Sequence, residues 1–267
     1  MPVANARMYS TTPEVKEGWR TLLAWVLKQA DLAWDVIDYD APAPLSLLWA
    51  RNDLGMVMMC GMPYARRSPR PLMVAAPVPM PHRYARRPVY FTDIVVRADA
   101  PFRHLEDTFG GVVGYTLADS LSGGVALAHH LKGYRTAGRD RLYRKSVGNL
   151  IHARGVIEAL AQGSIDVGPL DSYYHDLLRH NDPMFAAQVR TVASTAPLPI
   201  PPLVATAPMS EEACARLRTA LSAVEAAPDL AALRGMLQLA AFAFPDPADY
   251  APLGRLPEQL TTSFEEL

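Results

Sequence analysis

Cysteine is scarce in this chain. Its 267 residues hold two, Cys60 and Cys214. One bridge is the most they could form, and neither lies in a CxxC pair or beside a histidine cluster, so no disulfide scaffold organises the fold. Lysine is scarce as well, 4 against 22 arginines. Net charge is nearly absent, at −1. No global field therefore favours nucleic acid or a membrane surface. No run reaches the ~18–20 consecutive apolar residues of a membrane-spanning helix. No secretory signal is expected in residues 1–30. The short apolar run Leu22–Leu27 is flanked by Arg20 and Lys28, follows Glu14 and Glu17, and has no small-residue cleavage site behind it. The expectation is a chain that starts in the cytoplasm as written, or a periplasmic one whose export signal was trimmed or mis-annotated. No internal repeat of fixed period is found.

What is present is ordinary globular composition: half the residues are hydrophobic and 20% are charged. That excludes disorder. The length suits one large domain or two small ones, at roughly 100–200 residues each. Strands are predicted over Val3–Met8, Ala33–Tyr39, Gly55–Cys60, Leu72–Val78 and Val89–Arg97. Further strands are expected over Val112–Thr116, Ile165–Gly168, Val189–Ser194 and Leu203–Thr206. Gly55–Cys60 is continuously apolar, as a parallel strand buried on both faces would be. Helices are predicted over Pro13–Gln29, Leu45–Trp49, Arg154–Gln162 (with Gly163 as its stop) and Tyr173–Leu178. A loop running into a helix is expected over Ser120–Gly133. The rest reads as helical: Ser210–Ala226, Leu230–Ala243 and Pro257–Leu267. This alternation predicts an α/β fold with mainly parallel sheets flanked by helices. Residues 201–267 carry 4 bases and 9 acids, which reads as a solvated acidic face on the last helices.

The strongest local signal for chemistry is Asp119-Ser120-Leu121-Ser122-Gly123-Gly124, between a predicted strand and a predicted helix. Backbone amides at a helix start, with serine hydroxyls beside them and glycine allowing close approach, make an anion site. The same residues also read as a plain N-cap with a turn.

Several stretches, in order, resemble the phosphonate/phosphate-binding family of ABC-importer solute-binding proteins. They are Tyr90–Arg97, Ala100–Asp107, Gly110–Gly114 and Ser120–Gly123, then Val156–Ser172 and Pro197–Ala205. The resemblance implies a two-lobed type II periplasmic-binding-protein fold with an interlobe cleft. One lobe is expected over 1–91 plus 195–267 and the other over 92–194. It implies a small anionic ligand (phosphate, phosphonate or similar), an importer membrane component as partner, and no cofactor, metal or nucleic acid. It also implies a binding protein rather than an enzyme.

Carried over residue by residue, Ser120, Ser122 and Gly123 match the family's anion-binding loop. Tyr64, after Cys60–Pro63, matches a tyrosine at the cleft, and Asp171 matches a carboxylate facing the ligand. The family's histidine before its fourth helix corresponds to His152, one residue out of register when counted back from Gly163. Tyr9, Ser10, Thr11 and Thr12 follow the first strand, where this fold places a ligand loop; equally they read as a capped helix start before Pro13.

Other candidates read as structural. Adjacent His129 and His130 cannot face one metal, and His175, Asp176 and His180 lack further ligands in sequence. Cys60 reads as packed, with a thiol nucleophile as its alternative reading. Arg66, Arg67, Arg70, Arg83, Arg86 and Arg87 lie among prolines that mark solvated loop, with tuning of a cleft for anions as their alternative reading. Two other readings stay open on the same fold: a cytoplasmic enzyme acting on a small carboxylic acid, with Asp171 or His152 as acid or base, and a cytoplasmic metabolite sensor.

Overall fold

Thr12 and Pro13 start the first helix as their chemistry requires. The Thr12 hydroxyl accepts a hydrogen bond from the Val15 amide at 3.2 Å, and Pro13 occupies the first helical position, where a missing N–H costs nothing. Val15, Trp19, Leu22, Leu23 and Val26 form its buried stripe. The structure, a computed structural model, describes residues 1–40, 43–136, 140–260 and 263–267.

Along the chain the elements begin with β1 (Val3–Asn5), α1 (Pro13–Gln29), β2 (Asp35–Val36), α2 (Leu45–Trp49), β3 (Leu54–Met58), α3 (Gly61–Arg66) and β4 (Leu72–Pro79). Next come β5 (Val89–Tyr90), β6 (Thr92–Arg97), β7 (Val112–Gly114), a π turn over Leu121–Val125, α4 (Ala126–Leu131), β8 (Lys145–Val147) and α5 (Ala153–Ala161). Then follow β9 (Gly168–Asp171), α6 (Ser172–Asn181), α7 (Pro183–Ala186), β10 (Val189–Ser194), β11 (Leu198–Pro199) and β12 (Leu203–Ala205). The last elements are α8 (Glu211–Ala223), α9 (Ala231–Met236) and β13 (Leu239–Ala243), then 3-10 turns over Pro247–Gln259 and Phe264–Glu266.

Two compact units result: Met1–Val89 with Pro199–Gly254, and Tyr90–Leu198 with Arg255–Leu267. The first holds a six-stranded sheet in the order β13-β4-β12-β3-β1-β2. The second holds a three-stranded sheet, β10-β6-β9, and a β7-β8 pair. The division differs from the expected lobes at the C-terminus. Residues 255–267 pack in the second unit, because Leu267 is buried in its core and Leu260 and Phe264 pack against that core.

The sheets are mixed rather than mainly parallel. β1 runs parallel to β2 and β3, and β7 to β8. β12 inserts antiparallel between β3 and β4, β13 adds antiparallel to β4, and β6 pairs antiparallel with both β9 and β10. An apolar run shows that a strand is buried, not which way its neighbour runs. Here the segment re-entering the first unit supplies β12 in the opposite sense.

Three further expectations need correction. Leu230–Ala243 is not one helix. The helix ends at Met236, Gln238 takes a left-handed φ of 47°, and the alanine-rich Leu239–Ala243 becomes β13 along Pro79–Ala76. Tertiary pairing overrides the high helix propensity of alanine. The strand expected at Ile165–Gly168 lies at Gly168–Asp171, where it can pair with Thr92–Val95. Of the predicted last helix, Pro257–Leu267, the described parts are 3-10 turns, and residues 261–262 lie outside the described residues. Among the described residues no helix is long and apolar enough to cross a membrane.

Candidate functional site

In the second unit the Ser120–Gly124 segment folds as a helix start built on a wide first turn. The Ser120 hydroxyl accepts from the Gly123 amide at 3.2 Å, and the Val125 amide reaches back to the Ser120 carbonyl at 3.0 Å. The glycines are required by space. A Cβ on Gly123 would come within 1.9 Å of the Thr116 Oγ1, and one on Gly124 within 2.7 Å of the Leu117 carbonyl. The turn is thereby pressed onto the strand end that precedes it, and the Thr116 amide bonds the Gly123 carbonyl at 2.8 Å. Ser122 is half-buried, and its hydroxyl makes no hydrogen bond to the described residues. Amides of a first helical turn lack intrahelical acceptors and carry the positive end of the helix dipole. The segment thus offers backbone N–H groups and one uncommitted hydroxyl to a small anion.

Asp171 is brought to the same strand. Thr92 of β6 stands opposite Asp171 in the β6–β9 register, and the Thr92 hydroxyl donates to the Ser122 carbonyl at 2.9 Å. The Asp171 carboxylate caps α6, accepting from the Tyr173 and Tyr174 amides at 2.9 and 3.1 Å. Buried Ser172 pins that helix start to the sheet: its hydroxyl accepts from the Phe91 amide at 3.0 Å, and its amide donates to the Phe91 carbonyl at 2.9 Å. Full burial raises the Tyr173 phenol pKa well above its ordinary value, and the neighbouring Asp171 and Asp176 raise it further.

His152 is a helix cap. It is exposed, and its Nδ1 accepts from the Gly155 amide at 3.0 Å, which leaves Nε2 for any other partner. The segment before it is strained, with Asn149 at φ 59° and β-branched Ile151 at φ 66°. His129 and His130 diverge as adjacent helical residues must; the His129 Nε2 lies 3.1 Å from the Gln259 Oε1. Both histidines wall a cavity of about 180 Å³ beside α4, together with Thr195 and Leu256.

The first-unit candidates sit differently. Tyr9 and Tyr64 are each 1% exposed, and Thr11 is 4% exposed. The Tyr64 ring meets Tyr250 edge-on, centroids 5.5 Å apart, and burial raises its phenol pKa. Ser10 is half-buried and donates to the Ala6 carbonyl at 3.4 Å. Cys60, at the start of α3, touches the Met8 sulfur at 4.0 Å, so the turn carrying Tyr9–Thr11 and the helix carrying Tyr64 meet within this unit. A separate cavity of about 20 Å³, between Ser10, the start of α1 and the segment after β2, has room for one water; around it Lys16 pairs with Asp38 and Asp40 at 3.1 and 2.7 Å.

The reading of the sequence missed Asp93. This carboxylate is completely buried on β6, 2.8 Å from the His175 Nδ1, and accepts from the Ser194 hydroxyl at 2.9 Å. A charge directly before the apolar run Ile94–Val96, within a predicted strand, was the available signal.

The model of the ABC-transporter phosphonate periplasmic substrate-binding protein family matches residues 9–250. The chain belongs to this family. Among solved structures, a binding-protein component of an ABC phosphonate transporter from Pseudomonas aeruginosa is similar at 18% identity. It aligns over 96% of this chain and 85% of that one, with a TM-score of 0.74. PhnD1 from Prochlorococcus marinus, in complex with methylphosphonate, is 14% identical over 97% of each chain, with a TM-score of 0.75. A Xanthomonas citri protein bound to ATP is 21% identical over 97% of this chain and 96% of its own, with a TM-score of 0.62. No curated protein matches by sequence. The family is one of ABC-transporter solute-binding proteins, and the chain has the type II periplasmic-binding-protein fold.

Proposed function

We propose that this protein binds a small phosphonate- or phosphate-like anion and delivers it unchanged to an ABC importer. The observation that carries the reading is the Ser120–Gly124 turn. Glycines with no room for a side chain hold it, its amides point from a helix start, and the Ser122 hydroxyl is uncommitted. A tetrahedral oxyanion accepts several such donors at once, and charge-assisted bonds of this kind are the strong ones. Asp171 caps α6 opposite Thr92, the residue that holds this turn, and so adds a carboxylate beside the donors. A carboxylate there favours a ligand that carries a protonated oxygen or an amine over a fully ionised sulfate-like one.

Calorimetric titration with methylphosphonate, inorganic phosphate and ATP tests the reading, beside the Ser122→Ala variant. One of the first two should bind, and Ser122→Ala should weaken it by roughly ten- to a hundredfold, the ~1.5–3 kcal/mol of a hydrogen bond to a charged acceptor. The bound ligand should be recovered intact by phosphorus NMR after prolonged incubation. Tight binding of ATP alone would redirect the reading to nucleotides, and conversion of the ligand would replace it with an enzyme. Service to an importer also requires the protein outside the cytoplasmic membrane, which fractionation of the source cells checks.

A further inference from the structure

Thr92 and Asp93 are consecutive on β6, so their side chains leave opposite faces of the strand. Each reaches a different part of the anion site described above. Thr92 holds the Ser120–Gly124 turn through the Ser122 carbonyl. Asp93 holds α6, the helix capped by Asp171, through His175 one turn further along, at 2.8 Å. Asp93 is also tied across the sheet to its register partner Ser194 on β10 at 2.9 Å. Asp93 and His175 are both fully buried, which a carboxylate tolerates only when paired and hydrogen-bonded.

The trio has the residue types of a hydrolytic triad without its connectivity. Ser194 donates to Asp93 rather than to the imidazole, and the His175 Nε2 is buried with no hydrogen-bond partner among the described residues. Among the described residues no nucleophile stands where this base could take its proton. The other charged groups near His175 are Asp176 and Arg179 on its own helix, and Arg179 faces outward to Asp176 and Thr191 at 3.4 and 3.1 Å. The chemistry left to the pair is orientation. A neutral imidazole with its proton on Nδ1 gives α6 a single seat on β6, and that seat fixes where the Asp171 carboxylate stands relative to the turn that Thr92 holds.

We infer that Asp93 and His175 are positioning residues for the anion site: β6 registers the Asp171 end of α6 against the Ser120–Gly124 turn through this buried pair. The inference rests on the anion-site reading for its functional meaning, but the positioning itself can be measured without ligand. Amide hydrogen exchange at Tyr173, Tyr174 and Gly123 in the unliganded protein should rise at least tenfold in His175→Leu and Asp93→Asn. It should return towards the parent in His175→Asn, whose side-chain amide can replace the Nδ1 donor. Leu178→Ala, which opens the same helix's buried face elsewhere, serves as the control: it should lower the melting temperature without this local signature. Affinity for methylphosphonate should follow the exchange pattern, about tenfold weaker in His175→Leu and restored in His175→Asn. If His175→Leu melts lower while exchange at the three amides matches Leu178→Ala, the pair only fills the core and the inference is overturned. If exchange follows the expected pattern but the parent binds neither methylphosphonate nor phosphate, the pair is confirmed as a positioning device and the anion reading fails instead.

Discussion

The two units carry their candidate ligand residues in contrasting ways. In the first unit the candidates are large and hidden: Tyr9 and Tyr64 are each 1% exposed, and the Tyr64 ring is wedged against Tyr250. In the second they are small and backbone-centred: a turn that leaves a hydroxyl uncommitted, and a half-buried carboxylate with one oxygen committed to a helix start. A buried aromatic ring contributes mainly through the area it removes from water. A helix-start turn contributes little to the core and presents donors. The same family signature therefore marks residues with different physical roles. In the first unit it coincides with packing, and in the second with backbone donors and a hydroxyl at a helix start.

The sharpest break of this contrast is Tyr64→Ala. Deleting a buried aromatic should cost about 3–5 kcal/mol of stability, read from denaturant unfolding. Tyr64→Phe keeps the ring and should stay within about 1 kcal/mol of the parent. If Tyr64→Phe instead left stability unchanged but cut ligand affinity tenfold, the phenol would be a ligand contact and the two units would be alike. Next in size is Gly123→Ala. Forcing a methyl into the space held by Thr116 should cost ~1–3 kcal/mol and, by displacing the turn, more than a hundredfold in affinity. A variant that kept the parent's affinity would show that the ligand does not use this turn.

Asp171 distinguishes cap from ligand group. Asp171→Ala should lose the two amide bonds and ~0.5–2 kcal/mol, whereas Asp171→Asn should keep the cap and most of that stability. An affinity loss in Asp171→Asn without a fall in melting temperature assigns the charge to the ligand. The smallest effect is acid sensitivity. Burial lowers the pKa of His175, and also that of His130, below the ordinary histidine value. The folded protein therefore binds fewer protons than the unfolded chain. The associated stability is fully present above pH ~6.5 and is lost as pH falls through the folded value. His175→Asn should flatten part of that decline in melting curves between pH 7 and pH 5; an unchanged slope would mean that folding does not shift the His175 pKa.

Much of the architecture was legible from local chemistry. Thr12-Pro13 gives the start of α1 because a hydroxyl three residues from an amide satisfies that amide wherever the chain goes afterwards. Gly163 marks the end of α5 because its φ of 71° is open to glycine at little cost. The Ser-x-Ser-Gly-Gly turn is legible for the same reason: its capping bonds, from Gly123 and Val125 to Ser120, join residues within five positions of each other. The order of these signals along the chain also carried the family. Tertiary structure decided whatever depends on a partner distant in sequence. Ala-rich Leu239–Ala243 becomes a strand because β4 offers it an edge, and residues 255–267 join the second unit because its core receives Leu267. Asp93 and His175, 82 positions apart, meet only because β6 and α6 are packed together. A cap is settled by bonds a few residues long, whereas a buried charge must wait for the fold to bring its partner, and no local pattern records which residue that will be.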